Sequence, residues 1–363
     1  MRITWLIDAD VQQVGGRLTS AAASVRYRVL APAAELAAHG HQSRLLRYDA
    51  EMPIDVLDQH LVCDVLVVSK VLTRGKYEIV ARGQTLGTRM IFDLCDDHFH
   101  TPQLEVTYRR LAAAADRLVA STPEMAAAIE RETGRSAVVV SDPYEGPAGE
   151  AFFSPSYSRL RLLWFGHPTN FDTLTAIMPG LQQLSREMPL GLEVISDPAG
   201  TRVEEALRSL DGGEQSNFTT RFTRWSAEAT WQGLAACDLV LLPSLPGSRK
   251  QVKSPNRLVE SLRAGRFVVG YPLPSYRPFA DYAWLGEDIC QGIRWAVANR
   301  AEAEHRLLAG QRHVNEHFSS ASIARLWDAV LAGVVDQVPA SPAVPTFIAV
   351  GQNTAGQASS ATP

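Results

Sequence analysis

The sequence is sparing with cysteine. Its four cysteines, Cys63, Cys95, Cys237 and Cys290, lie far apart among 363 residues, without the close pairs of zinc modules or disulfide frameworks, so reduced and mostly structural thiols are expected. Long apolar runs are lacking as well. The first, at 3–7, stops at Asp8, too short for a signal peptide or a membrane span, and no later segment reaches spanning length. A cytosolic protein is the expectation, with peripheral contact at the inner face of a membrane left open. Charge of one sign is also scarce. The formal net charge is −4, and the residues before about position 157 carry a small acidic excess, which argues against a nucleic-acid partner.

With 46% hydrophobic and 20% charged residues, the composition is that of a globular protein with room for two domains. Short apolar runs at 3–7, 65–68, 90–92, 117–120 and 138–140 alternate with helical patterns at about 24–39, 104–115 and 123–133. A second series of runs follows at 160–165, 192–195, 238–242 and 267–269, with helical patterns near 174–187, 203–210, 227–236 and 256–264. This alternation predicts an α/β chain with parallel sheets covered by helices. Turn-rich segments at 145–149 and 154–156 divide the two series. The division predicts one Rossmann-like domain over 1–156 and another over 157–317, then a helix at 318–336 with Leu326, Trp327 and Leu331 on one face. Residues 337–363, rich in Pro, Ala, Ser, Thr and Gln without periodicity, predict a disordered tail. Cys63-Asp64 before one apolar run is echoed by Cys237-Asp238 before another, a hint of duplicated architecture.

The most informative stretch is Lys253-Ser254-Pro255-Asn256-Arg257-Leu258-Val259-Glu260, followed by Ala264-Gly265. Pro255 suits the first position of a helix and Gly265 the residue just past its end. Asn256 and Glu260 then stand one turn apart on one stripe, with Leu258, Val259 and Leu262 on a core-facing stripe. A buried strand, a basic loop and this helix would present a helix N-terminus to an anion and a carboxylate to ribose hydroxyls. As a plain surface helix, the same residues would pair Glu260 with Arg257 or Arg263.

This segment resembles the donor-site helix of glycosyltransferases with two Rossmann-like domains facing a central cleft, the GT-B architecture, in the group related to glycosyltransferase family four. The resemblance implies a C-terminal helix crossing back onto the first domain, a nucleotide-sugar donor in the second domain and a hydroxyl acceptor in the first. It implies no metal and no cofactor, and a role in glycan or polysaccharide biosynthesis with a glycan or lipid-linked acceptor. The family pattern is Glu, seven residues, Glu. Its second carboxylate falls at Glu260, which implies a ribose contact whose loss weakens nucleotide binding and leaves folding largely intact. Its first falls at Val252, so the chain resembles a variant, Lys-x-Pro-Asn-Lys/Arg-x-x-Glu, in which Lys253 faces the donor phosphates and the stereochemical outcome stays open. Relatives place a basic pair after the strand at 160–165. Here that place holds Gly166-His167-Pro168-Thr169-Asn170, making His167 and Asn170 candidate donor contacts and shifting charge stabilisation to Arg249, Lys250 and Lys253.

In the first half, Gly15-Gly16 follows the opening strand and could bring backbone N–H groups close to a ligand. The third glycine of a dinucleotide fingerprint is absent, which disfavours a nicotinamide cofactor. Arg26 and Arg28 would diverge by about 160° on a helix, so at most one faces the cleft, to hold a phosphate-bearing acceptor or simply to be solvated. Asp96, Asp97 and His98, at a strand end, are candidate catalytic or substrate-positioning residues, with a cap or turn role equally open. Their spacing is not the isolated Asp-x-Asp form of metal-dependent transferases. Ser121 and Glu124 have capping-box spacing. Two alternatives to a transferase remain, a nucleotide-sugar epimerase of the same fold and a non-catalytic nucleotide-binding subunit.

Overall fold

The computed structural model of the chain describes residues 1–47, 52–69, 76–153, 158–197, 207, 216–246 and 251–335. The first half contains β1 (Arg2–Ile7), a hairpin of β2 (Gln12–Val14) and β3 (Arg17–Thr19), then β4 (Gln42–Arg47), β5 (Val65–Ser69), β6 (Arg89–Leu94), β7 (Arg117–Ala120) and β8 (Val138–Val139). Six of these form one sheet in the order β4-β1-β5-β6-β7-β8, parallel throughout. β5 is buried at every position, as expected of a strand covered on both faces.

The second half contains β9 (Leu160–Phe165), β10 (Leu190–Ser196), β11 (Phe218–Arg224), β12 (Leu239–Leu242), β13 (Phe267–Gly270) and β14 (Trp284–Leu285). They form a second six-stranded sheet in the order β11-β10-β9-β12-β13-β14, again parallel. The strand order reverses between β9 and β12, and ligand crevices of open parallel sheets form at such switch points, beyond the carboxyl ends of the strands.

The repeated Cys-Asp pair has a structural basis. Asp64 accepts from the backbone N–H of Arg2 at 2.7 Å, and Asp238 accepts from that of Arg161 at 2.8 Å. Each aspartate also pairs with the same arginine's guanidinium. One device thus fixes the start of the first strand in each half. The backbone hydrogen bond from Arg2 holds the Asp64 carboxyl below its usual pKa. All four cysteines are free, and burial pushes the Cys237 thiol up to about 12.

The helix Ser320–Val335 lies on the first half. Its buried residues Ile323, Trp327, Val330, Leu331 and Val334 join one apolar cluster with Trp5, Ile7, Val25, Val29 and Leu36. Trp5 and Trp327 meet edge to face at 5.2 Å. Leu326 does not share that face. It is 43% exposed, because the core stripe follows positions 323, 327, 330, 331 and 334. The expected turn at 154–156, most of the helix at 203–210 and the tail at 337–363 lie outside the described residues.

Candidate functional site

Where β12 ends, the chain runs through Lys253 and Pro255 into the helix Asn256–Arg263. Pro255 sits just before the first helical residue, and its carbonyl accepts from Val259 at 2.9 Å. Gly265 follows the helix end at φ +69°, and an added Cβ there would lie 2.3 Å from the carbonyl oxygen of Glu150. Leu258, Val259 and Leu262 are buried as the pattern requires.

Glu260 is buried too, at 6% exposure, and its carboxylate is engaged on several sides. It accepts from the backbone N–H of Glu145 at 2.7 Å and of Gly146 at 3.0 Å, and from the Tyr27 hydroxyl at 3.1 Å. A Cβ on Gly146 would sit 2.7 Å from the carboxylate, so a larger residue there would push the carboxylate aside. Burial raises the carboxyl pKa while the hydrogen bonds oppose that rise. Burial and the Glu260 charge together push the Tyr27 hydroxyl well above its usual value. Glu260 pairs with neither Arg257 nor Arg263 in this arrangement. It ties its helix to the segment at 145–146 and to the first half. A cavity of about 160 Å³ borders Glu260 and Gly146, with Trp231 and Arg266 in its wall.

Tyr27 belongs to a π-helical turn, Arg26–Leu30, a widened turn common at functional sites. Arg26 forms an ion pair of 3.0 Å with Glu145 and stands 5.3 Å over the Trp225 ring of the second half. Arg28 is neither solvated nor in the cleft, contrary to both readings of its sequence. Its guanidinium is 1% exposed and pairs with Asp93 and Asp142. Burial works against the Arg28 charge, but the two aspartates outweigh it and hold its pKa above the usual value.

The loop before the helix is anchored in the first half. Val252, where the family pattern expects a carboxylate, is buried in the apolar cluster that contains Leu94, Phe99 and Met125. Its carbonyl accepts from the Thr122 hydroxyl at 2.9 Å. The same hydroxyl accepts from Met125 N–H at 3.0 Å, so Thr122, and not Ser121, caps the helix Pro123–Thr133. Lys253 then reaches across to form an ion pair with Asp96. Of the neighbouring candidates, Asp97 accepts from Phe99 N–H at 3.1 Å in a local turn, and the His98 ring packs edge-on to Tyr108 with its Nδ1 3.2 Å from the Thr101 hydroxyl. Asp96 is thus placed against the second half.

At the exit of β9, the exposed His167 accepts from Thr169 N–H through its ring at 3.3 Å, and the half-buried Asn170 donates its backbone N–H to the His167 carbonyl at 2.9 Å. The positive charge here comes from Arg257, whose Nη1 donates to the Phe165 carbonyl at 3.3 Å. Sequence reasoning did not name this residue as a donor contact and weighed it, beside Arg263, only as a partner for Glu260 on a plain surface helix. The available signal was its place directly after Asn256 at the helix start. Arg249 and Lys250 lie outside the described residues.

Gly15 and Gly16 are the turn of the β2–β3 hairpin, with φ of +56° and +80° and no atom within 4 Å of an added Cβ. Positive φ at both central residues is what a tight hairpin turn demands, so the turn accounts for the glycine pair without a ligand. Among the described residues no group of three or more His, Cys, Asp or Glu side chains is placed to hold a metal ion, and no single helix is long and apolar enough to cross a membrane.

No protein-family model matches the chain, and no curated protein does. Solved structures do resemble it. HepE from Anabaena, in complex with UDP and glucose, is 14% identical with a TM-score of 0.68, over 92% of this chain and 100% of that one. A glycosyltransferase from Rickettsia africae is 10% identical with a TM-score of 0.69, over 93% and 99%. The chain has the GT-B fold. An α-glucosyltransferase solved with UDP-glucose and abasic-site DNA is also similar, at 12% identity and a TM-score of 0.61, over 92% of this chain and 99% of that one. The fold sets the carboxyl ends of both sheets across one cleft, and Lys253, Arg257, Asp96 and Glu260 stand at or beside that junction.

Proposed function

We propose that the chain is a glycosyltransferase, related to family four through the Lys-x-Pro-Asn-Arg-x-x-Glu variant, that moves a sugar from a nucleotide-sugar donor to a hydroxyl acceptor. The observation that carries this reading is the placement of Arg257 and Lys253 around the N-terminus of the helix Asn256–Arg263, at the switch point of the second sheet. HepE and the α-glucosyltransferase, which share the fold, were solved with UDP-glucose or its parts.

In this reading residues 157–317 bind the donor and 1–156 the acceptor, with the helix at 318–336 joining them. Charge develops on the diphosphate as the sugar leaves. Arg257, Lys253 and the helix N–H groups meet that charge, a task that needs no metal, and preorganised donors of this kind are the largest single contribution in many enzymes. Asn256, His167 and Asn170 line the same crevice. A carboxylate has about four acceptor positions. Glu260 uses three on Tyr27, Glu145 and Gly146, leaving one for a ribose hydroxyl. Asp96 faces the acceptor side, where closure would align the hydroxyl and exclude water. The acceptor is a glycan or a lipid-linked acceptor, met in the cytosol or at the inner face of a membrane.

Product analysis with UDP-, GDP-, ADP- and dTDP-sugars tests the reading. Transfer that requires an added hydroxyl acceptor supports it. An altered sugar formed without acceptor indicates an epimerase, and nucleotide binding without turnover on any donor indicates a non-catalytic subunit.

A further inference from the structure

Gly166, the residue after β9, is held on both sides by the end of β10. Its backbone N–H donates to the Ile195 carbonyl at 3.1 Å, and its own carbonyl accepts from the buried Ser196 hydroxyl at 2.8 Å. It is not among the glycines with positive φ, so its backbone would suit other residues. What sets it apart is the space above it. An added Cβ would lie 3.2 Å from Nη1 of Arg257, and 3.4 and 3.5 Å from two ring carbons of Trp164. Trp164 is fully buried, and a close-packed ring gives little. The guanidinium can give, because Arg257 is half-buried. The Phe165 carbonyl, at 3.3 Å, is the one hydrogen-bond acceptor that its guanidinium meets among the described residues. That bond uses one of five N–H donors, so most of the fork is left for a ligand.

We propose that Gly166 is a positioning residue for Arg257: the bare backbone at the end of β9 is the seat on which the guanidinium lies in reach of the donor phosphates. This rests on reading the crevice as a nucleoside-diphosphate site. No Lys or Arg stands among residues 166–170, so the arginine at this strand end is brought by the helix Asn256–Arg263 and has to lie across the glycine to reach it. Two parallel N–H···O bonds from one guanidinium to a phosphoryl group demand an accurate approach as well as charge. A methyl on Gly166 leaves too little room for Nη1 and tips the fork off that approach. The shift is mild for the fold, because the tip of a flexible side chain takes it up, and serious for the ligand. A lysine in place of Arg257 would be a point charge on a flexible stem, without a fork to be tipped.

The test is calorimetric titration of UDP, GDP, ADP and dTDP singly, of their free nucleosides, and of inorganic pyrophosphate. The proteins are the full chain, its Gly166→Ala and Arg257→Lys variants and the double variant, each also unfolded in urea. Gly166→Ala should weaken diphosphate binding at least threefold, with nucleoside binding and the urea midpoint little changed. In the Arg257→Lys background the same substitution should have no measurable effect. Ser196→Ala releases the Gly166 carbonyl without adding bulk, and it too should weaken diphosphate binding only where Arg257 is present. Undiminished diphosphate binding in both Gly166→Ala and Ser196→Ala overturns the seat, as does an equal loss in the Arg257→Lys background. A lowered urea midpoint with equal losses for diphosphate and nucleoside overturns it as well, because the glycine would then serve the fold alone. If pyrophosphate shows the Arg257-dependent loss while no nucleotide binds, the seat stands and the nucleotide reading falls. If neither pyrophosphate nor any nucleotide binds any form, both fall.

Discussion

The Tyr27 hydroxyl donates to the Glu260 carboxylate across 3.1 Å, joining residues 233 positions apart. The carboxylate that the sequence assigns to a ligand is therefore also a fastener between the halves of the chain. Glu260→Ala removes the acceptor of two backbone N–H groups, those of Glu145 and Gly146, and a buried donor left unpaired costs about 1–3 kcal/mol. The variant should lose both nucleotide affinity and stability in urea unfolding. The expectation from sequence, that folding is largely untouched, is revised by the burial of this residue. Weakened binding with unchanged unfolding would restore it.

Stability should carry a pH signature from the same group. Burial raises the Glu260 pKa in the folded chain, whereas the unfolded value is ordinary, about 4.3. In the window between the two, the folded state binds more protons, so this group's contribution is fully present below about pH 4.3 and is lost as pH rises through the folded pKa. Glu260→Gln does not titrate. The stability difference between wild type and this variant should fall as pH increases across the window and then level off. A difference independent of pH contradicts the assignment.

Arg28→Met should be among the most damaging single changes. It strips the cation from Asp93 and Asp142, both buried, and breaking such a cluster from one side costs about 3–5 kcal/mol. Arg26→Met, which loses a partly exposed pair with Glu145, should cost far less in unfolding measurements. Equal losses would mean that the buried cluster adds nothing beyond a peripheral ion pair.

Docking of the last described helix rests on Trp327. Trp327→Ala should cost about 3–5 kcal/mol, and Leu326→Ala, on the exposed side, should be nearly neutral. Limited proteolysis of Trp327→Ala should cut within 320–335 at protease levels the wild type withstands. Resistance equal to that of wild type would contradict this docking.

Much of the fold was legible because its signals are local. Strands buried on both faces read as apolar runs, Gly265 marked a helix end that needs positive φ, and the Cys-Asp echo matched a repeated device. The site was legible in outline only. Lys253 and Asp96 were both singled out, but nothing in either segment says that they meet. Glu260 was placed on the correct helix, yet its burial depends on a segment 115 positions away. Val252 reads as a departure from a motif when taken alone and as an anchor once its neighbours in the first half are in place. Arg28 was misread and Arg257 passed over as a donor contact for the same reason, since a charged side chain's partner is a property of the tertiary structure and not of its own neighbourhood. Gly15-Gly16 suits a ligand loop and a hairpin turn equally well until the pairing of β2 with β3 is visible.

The most direct test of a nucleoside-diphosphate crevice is calorimetric titration of the wild type and Arg257→Met with UDP, GDP, ADP and dTDP, each beside its free nucleoside. The expected result is saturable binding of at least one diphosphate, weakened at least tenfold by Arg257→Met, with binding of the matching nucleoside little changed. Absence of binding by every diphosphate, or equal losses for diphosphate and nucleoside, would contradict the assignment of Arg257 and the helix Asn256–Arg263 to the donor.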